Sequence, residues 1–260
     1  MSEVNTSLRP PLKWAGGKRW LLPVLQKLWR PHSDKRLVEP FCGGLSVALG
    51  LQPQEALLND INPALINFYQ QLKTGLKMDI SLLNDEALYY QHRQQFNEKL
   101  QDPKQRAQLF YYLNRTGYNG LCRFNKSGGY NVPFGRYKTI HYLTDFADYQ
   151  PVLSQWQFTN TDFEQLDIQN NDFIYADPPY DVPFRQYAQQ GFEWQDQERL
   201  AEWLAQHTGP VVLSNQATPR ICKLYRQLGF KLRYVDAPRR ISCKTTSRKA
   251  VKEVLALRGF

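Results

Sequence analysis

Four short apolar runs, each cut off by turn residues, set the frame within which this chain must fold. Leu37-Val38 leads into Glu39-Pro40-Phe41-Cys42-Gly43-Gly44, and Ala56-Leu57-Leu58 into Asn59-Asp60-Ile61-Asn62-Pro63. Phe173-Ile174-Tyr175-Ala176 leads into Asp177-Pro178-Pro179-Tyr180, and Pro210-Val211-Val212-Leu213 into Ser214-Asn215. Short unbroken apolar runs suit strands buried on both faces. Helical patterns lie between them; one starts near Asp196, read as an N-cap, and passes through Leu200, Ala201, Trp203 and Leu204 to Gly209. Strands alternating with helices predict an α/β fold with a mostly parallel sheet. In such sheets ligands sit beyond the carboxyl ends of strands, which is where these polar motifs fall.

The middle of the chain differs. From about Leu65 to Thr144 it is helical and polar at first, and then rich in Gly, Asn, Arg and Tyr between Asn114 and Lys138. The expected organisation is a core in two parts, residues 1–64 and 145–260, interrupted by an insert over 65–144. A chain of 260 residues has room for both. A hydrophobic fraction of 42% excludes a disordered protein, and a formal net charge of +9 favours a polyanionic partner. No apolar run approaches the roughly 20 residues of a membrane span, and the first eleven residues carry no apolar signal core. The expectation is a cytoplasmic protein without membrane contact. Cys42, Cys122, Cys222 and Cys243 are scattered, with no C-x-x-C pair and no histidine at ligand spacing, so reduced thiols and no metal are expected.

Three motifs carry chemistry. Glu39 to Gly44 follows a strand, and its glycines let backbone approach a ligand, yet it is not a G-x-G-x-x-G dinucleotide fingerprint. Asp60 ends the next strand, where a carboxylate suits the hydroxyls of a ribose. A tight turn and a helix cap would explain both equally well. Lys13-Trp14-Ala15-Gly16-Gly17-Lys18 reads as a glycine pair that lets Trp14 and Lys18 close over a ligand, or as a basic turn with one tryptophan. Asp177-Pro178-Pro179-Tyr180 is the most informative: two prolines fix the backbone and leave carbonyls without local donors. The Asp177 carboxylate and the Pro178 carbonyl can then accept the two N–H bonds of an exocyclic amine, and Tyr180 offers a face for a base to stack on.

Together these residues resemble the Dam-type DNA adenine-N6 methyltransferases of the alpha group, from Lys13 to about Leu257. The resemblance implies a Rossmann-like mixed-sheet core dependent on S-adenosylmethionine, with S-adenosylhomocysteine as product, and an inserted helical and β-hairpin domain that recognises double-stranded DNA. No obligate protein partner is implied. By resemblance Trp14, Lys18, Glu39, Phe41, Gly43, Asp60, Asp162, Phe163 and Asp177 contact the cofactor, and Asp177, Pro178 and Tyr180 are catalytic. Tyr111 to Arg123 and Asn131 to Lys138 are similar to the family's recognition hairpin. There Arg123 would read a guanine, Leu121 and Pro133 the thymine methyl, and Lys13 the outer guanine of GATC. Tyr118 would wedge into the stack, with Asn119, Arg136, Tyr137 and Lys138 at the backbone. Arg239-Arg240 and Arg248-Lys249 would meet phosphates. The segment from Asp181 to Tyr187 and the pair Cys243-Lys244 depart from the family pattern. Two alternatives stay open: an amino-methyltransferase acting on RNA or cytosine N4, and an inactive DNA-binding protein of the same fold.

Overall fold

The apolar runs become strands for the reason their composition gives: nearly every residue in them is removed from water. A computed structural model describes residues 8–98, 102–181, 192–237 and 252–260. In chain order the helices and strands are α1 (Leu22–Trp29), β1 (Leu37–Glu39), α2 (Ala48–Leu51), β2 (Ala56–Asn59), α3 (Pro63–Lys73), α4 (Glu86–Asn97), α5 (Pro103–Thr116), α6 (Tyr149–Leu153), β3 (Trp156–Thr159), β4 (Phe173–Ala176), α7 (Trp194–Gln206), β5 (Val211–Gln216), α8 (Pro219–Gln227), β6 (Lys231–Asp236) and β7 (Lys252–Arg258). By contacts they fall into two units. The first gathers residues 1–19, 42–52 and 60–160, the second residues 20–41, 53–59 and 161–260.

The second unit carries six strands in the order β2-β1-β4-β5-β7-β6. β2, β1, β4 and β5 run parallel, with Val38 opposite both Leu57 and Ile174, and Ile174 opposite Val211. β7 is antiparallel to both β5 and β6. The result is a mixed, Rossmann-like sheet. β1, β2 and β4 are buried at every position, which is why their sequences show no alternation. β6, at the edge, is mostly exposed and carries Lys231, Arg233 and Asp236, charges that discourage pairing with another chain. The core joins Val38, Ile174, Ala176, Val211 and Leu213 of the sheet to Leu200, Ala201 and Leu204 of α7 and Ile221 and Tyr225 of α8.

Two expectations for this unit need correction. α7 begins at Trp194 with Glu193 as N-cap, and Asp196 is the third residue of a capping box, its Oδ2 accepting from the Glu193 N–H at 2.8 Å. Two acids three apart can both satisfy a helix start, and the one nearer the apolar run was not the cap. Ser214 and Asn215, expected as turn residues, lie inside β5 with fully buried side chains.

The first unit is mainly helical. Asn62 caps α3 through Ala64 and Leu65, and Asp102 caps α5 through Lys104 and Gln105, each followed by a proline at the first helical position. α5 is buried from Ala107 to Asn114. Phe68 of α3 stacks on its Tyr111 at 5.9 Å, while Phe146 meets both rings edge-on. Tyr111 to Thr116 are therefore core helix, and not one arm of a hairpin. The hairpin proper runs from Gly117 to Gly135 and has only isolated bridges, Gly117 to Phe134 and Phe124 to Tyr130. No helix among the described residues is long and apolar enough to cross a membrane.

Candidate active site and nucleic-acid interface

In the second unit the strand order reverses between β1 and β4, because β2 lies to one side of β1 and β4 to the other. Ligands of open sheets bind at the carboxyl ends beside such a reversal. Glu39 ends β1, buried, and Asp177 follows directly on β4. Ser214 Oγ of β5 donates to Asp177 Oδ1 at 2.8 Å. The prolines behind it are anchored from α7: Gln197 Nε2 donates to the Pro179 carbonyl at 2.7 Å. Gln197 Oε1 accepts from Asn215 Nδ2 at 2.9 Å, and the same amide group donates to the Tyr225 hydroxyl at 3.0 Å. Pro178 is buried, and among the described residues no donor reaches its carbonyl. The Tyr180 hydroxyl donates to Glu253 Oε2 of β7 at 2.6 Å. Burial first, then the charge of Asp177, pushes the Tyr180 phenol far above its ordinary range, so it stays a donor.

Phe41 packs on Phe163 at 5.8 Å and edge-on against Phe192 at 5.5 Å. Asp162 caps the turn at Phe163–Gln165, accepting from the Glu164 N–H. Both its oxygens are gripped by Arg199, at 2.9 and 3.0 Å. That bond holds the Asp162 carboxyl below the usual range, and the same guanidinium lies 4.4 Å over the Phe163 ring. Asn59, fully enclosed at the end of β2, donates to the Pro40 and Thr161 carbonyls, both at 3.0 Å, and accepts from the Thr161 N–H. It ties the loop after β1 to the segment carrying Asp162.

In the first unit Trp14 lies on the glycine turn. A Cβ added at Gly43 would fall 2.7 Å from Trp14 Nε1, and Gly43 sits at φ +45°. The Tyr69 hydroxyl donates to the Gly43 carbonyl at 2.6 Å. Asp60 closes this group, Oδ2 accepting from Gly43 N–H at 3.1 Å and Oδ1 from Asn62 N–H at 3.0 Å. Burial pushes its carboxyl up to about 6 against those two bonds. Lys18 is buried and its amine donates to the Gly16 carbonyl.

The residues expected to meet DNA also lie in the first unit. Arg123 is held in plane by Asn131, Nε donating to Oδ1 at 2.7 Å and Nη2 to the carbonyl at 3.1 Å. Lys13 is clamped at the end of α5, its amine donating to the Arg115 carbonyl at 2.8 Å and lying 3.6 Å over the Tyr137 ring. Burial, then the charge of Arg115, lowers that amine to about 8. Gly120, at φ +60°, is glycine because Lys13 crosses it: a Cβ would lie 2.3 Å from Lys13 Cβ. Tyr118 is 46% exposed, and Asn119, Pro133, Arg136 and Lys138 are exposed as well. Arg136 also reaches Glu86, at 3.8 Å. Among the described residues Cys42, Cys122 and Cys222 form no disulfide. Cys243, Lys244, Arg239-Arg240, Arg248-Lys249 and most of the segment after Asp181 lie outside the described residues.

Residues 14–241 match the family model for D12 class N6 adenine-specific DNA methyltransferases. The chain belongs to that family. Its relatives include the DNA adenine methylase of Escherichia coli strain K12, 38% identical over 95% of this chain and 94% of the relative. The retron Ec67 DNA adenine methylase of E. coli is 36% identical over 95% and 90%. The type II methyltransferase M1.LlaDCHI of Lactococcus lactis is 34% identical over 96% and 95%. The methyltransferase thus transfers a methyl group from S-adenosylmethionine to adenine N6 in DNA. Several residues around this adenine methyltransferase's motifs were given no individual role from the sequence: Asn59, Tyr69, Gln197, Arg199, Ser214, Asn215 and Glu253. A polar residue inside an apolar run, as at Ser214-Asn215, is the one cue that would have found any of them.

Proposed function

We propose that the enzyme methylates adenine within GATC on a base turned out of the duplex. Asp177, the Pro178 carbonyl and Tyr180 grip that base. The observation that carries the reading is the pair of acceptors at the end of β4: a carboxylate that accepts from Ser214, and the carbonyl of buried Pro178, which no described donor reaches. Adenine N6 is a weak nucleophile because its lone pair is delocalised into the ring. Accepting one N–H at Asp177 and one at Pro178 draws the nitrogen toward tetrahedral geometry and directs its lone pair away from both. S-adenosylmethionine supplies the methyl on a sulfonium centre. Asp177 need not be a strong base, because methylation acidifies the departing proton.

The donor set suits an adenosyl ligand. Asp60 keeps lone pairs for two ribose hydroxyls beyond its two backbone bonds, and side chains at Gly43 and Gly44 would collide with Trp14. Glu39, Phe41, Lys18, Asp162 and Phe163 complete the proposed cofactor contacts. Toward DNA, Asn131 occupies Arg123 through Nε and one Nη2 bond, which leaves an outer fork for guanine O6 and N7. Leu121 and Pro133 supply apolar surface for a thymine methyl, and Lys13 contacts the outer guanine. Tyr118 fills the space vacated in the stack, and Asn119, Arg136, Tyr137 and Lys138 meet the backbone. Duplex DNA as substrate implies work in the cytoplasm, at the nucleoid.

Labelled methyl transfer from S-adenosylmethionine tests this on a GATC duplex, a shuffled duplex and RNA. Transfer confined to the GATC duplex, abolished by Asp177→Ala with DNA binding intact, is expected. Equal transfer to the shuffled duplex removes the specificity, and activity in Asp177→Ala removes the acid. Arg123→Ala should loosen discrimination at one guanine by about 1–3 kcal/mol.

A further inference from the structure

Two buried hydroxyls stand behind the acid at the end of β4. Ser214, completely enclosed in β5, has its Oγ 2.8 Å from Asp177 Oδ1 and 3.2 Å from the Ala176 carbonyl. It has one proton to give, and the nearer acceptor is also the ionisable one, which makes the stronger bond. Tyr175, two residues before Asp177 and equally enclosed, has its hydroxyl 3.3 Å from Ser214 Oγ. With Ser214 donating forward, its oxygen is left to accept from Tyr175. Burial and the charge of Asp177 raise the Tyr175 phenol well above its ordinary range, so it keeps its proton and remains a donor. Bonds in such a row polarise one another. The neighbours in β5, Val211, Val212 and Leu213, show what the strand would otherwise put there, and burying a hydroxyl among them costs free energy unless it is bonded.

We propose that Ser214, backed by Tyr175, is a positioning residue that decides which carboxylate oxygen of Asp177 faces the adenine amine. The Ser214 bond holds Oδ1 toward β5. A carboxylate turns easily about its last bond, since that torsion has broad, two-fold wells. Without the anchor the oxygens exchange places and the plane tilts, so fewer bound complexes have the amine in line for transfer. The inference rests on the reading of Asp177 as the acceptor of an adenine N–H.

Single-turnover methyl transfer on a GATC duplex, at saturating DNA and S-adenosylmethionine, separates this role from simple filling of space. Ser214→Ala should slow transfer by roughly 10- to 100-fold, with the Kd for DNA and for S-adenosylhomocysteine unchanged. Ser214→Thr, which keeps the hydroxyl, should recover most of the rate, and Tyr175→Phe should lose a smaller factor than Ser214→Ala. A wild-type rate in Ser214→Ala overturns the inference, as does a threonine variant no faster than the alanine one. A loss that appears in the two Kd values instead of the rate overturns it too. Asp177→Ala run alongside keeps the two levels apart: if it is inactive while Ser214→Ala is unimpaired, only the positioning role fails. If Asp177→Ala is active, the reading beneath it fails.

Discussion

Replacing Asp60 by asparagine should stabilise the ligand-free enzyme at neutral pH while weakening its hold on the cofactor. In the unfolded chain this carboxyl has its ordinary value of 3.8; in the folded one burial lifts it to about 6, against the Gly43 and Asn62 N–H groups. Below pH 3.8 both states keep the proton and the site is neutral in either. Between pH 3.8 and about 6 the unfolded chain gives up this proton while the folded enzyme keeps it, so the stability present in acid is lost; above 6 both are charged and the loss is complete. The full difference amounts to roughly 3 kcal/mol at pH 8 and about half that at pH 5. The substituted asparagine would not titrate, but its amide would turn an N–H toward one of the two backbone donors, at a cost of about 1–2 kcal/mol. Urea denaturation of both proteins at pH 5 and pH 8 measures the balance. The advantage of Asp60→Asn over wild type should grow by roughly 1–1.5 kcal/mol across that range. Ribose hydroxyls donating to the carboxylate favour its charged form, so binding S-adenosylhomocysteine near pH 6 should release about half a proton, seen by calorimetry in buffers of different ionisation enthalpy. A stability difference that is flat with pH, together with no proton release, would refute the reasoning.

Glu253→Leu removes the acceptor for Tyr180 and should lower transfer by roughly tenfold, whereas Glu253→Gln, which can still accept that bond, should lose much less; rapid-quench kinetics distinguish them. Lys13, with its amine lowered to about 8, should react with amine-directed reagents at pH 8 faster than ordinary surface lysines and be protected by a GATC duplex, as peptide mapping by mass spectrometry will show. Phe68→Ala leaves a cavity between Tyr111 and Phe146 and should cost about 3–5 kcal/mol in denaturant titration.

The parallel strands were legible because burial on both faces leaves no alternation, so Leu37-Val38 and Phe173 to Ala176 announce themselves as apolar runs. β6 was silent: an exposed edge such as Lys231–Asp236 has the composition of a loop, and only its pairing with β7 makes it a strand. The polar pairings around the motifs were equally hidden. Asn59 meets Thr161 across 102 residues, and Asp177 meets Ser214 across 37, so no local periodicity records either partnership. Asp196 misled for a local reason, since the capping box places one acid at the start of the helix and another three residues on. Tyr111 to Thr116 misled in the opposite way: a tyrosine-rich segment continuous with the loop after Gly117 reads as part of it, and only its burial assigns it to the core.

Lys13 is clipped to the buried Asn114 by two 2.8 Å bonds: its N–H donates to Asn114 Oδ1, and its carbonyl accepts from Asn114 Nδ2. The next residue, Trp14, rests on the Gly43 turn. One peptide, spanning about 3.8 Å, therefore joins the end of α5 to the Gly43 turn, whose N–H donates to Asp60. Strain entering at one end has no slack to disappear into before it reaches the other. Whatever factor the correct duplex contributes to cofactor affinity, the cofactor must return to the duplex.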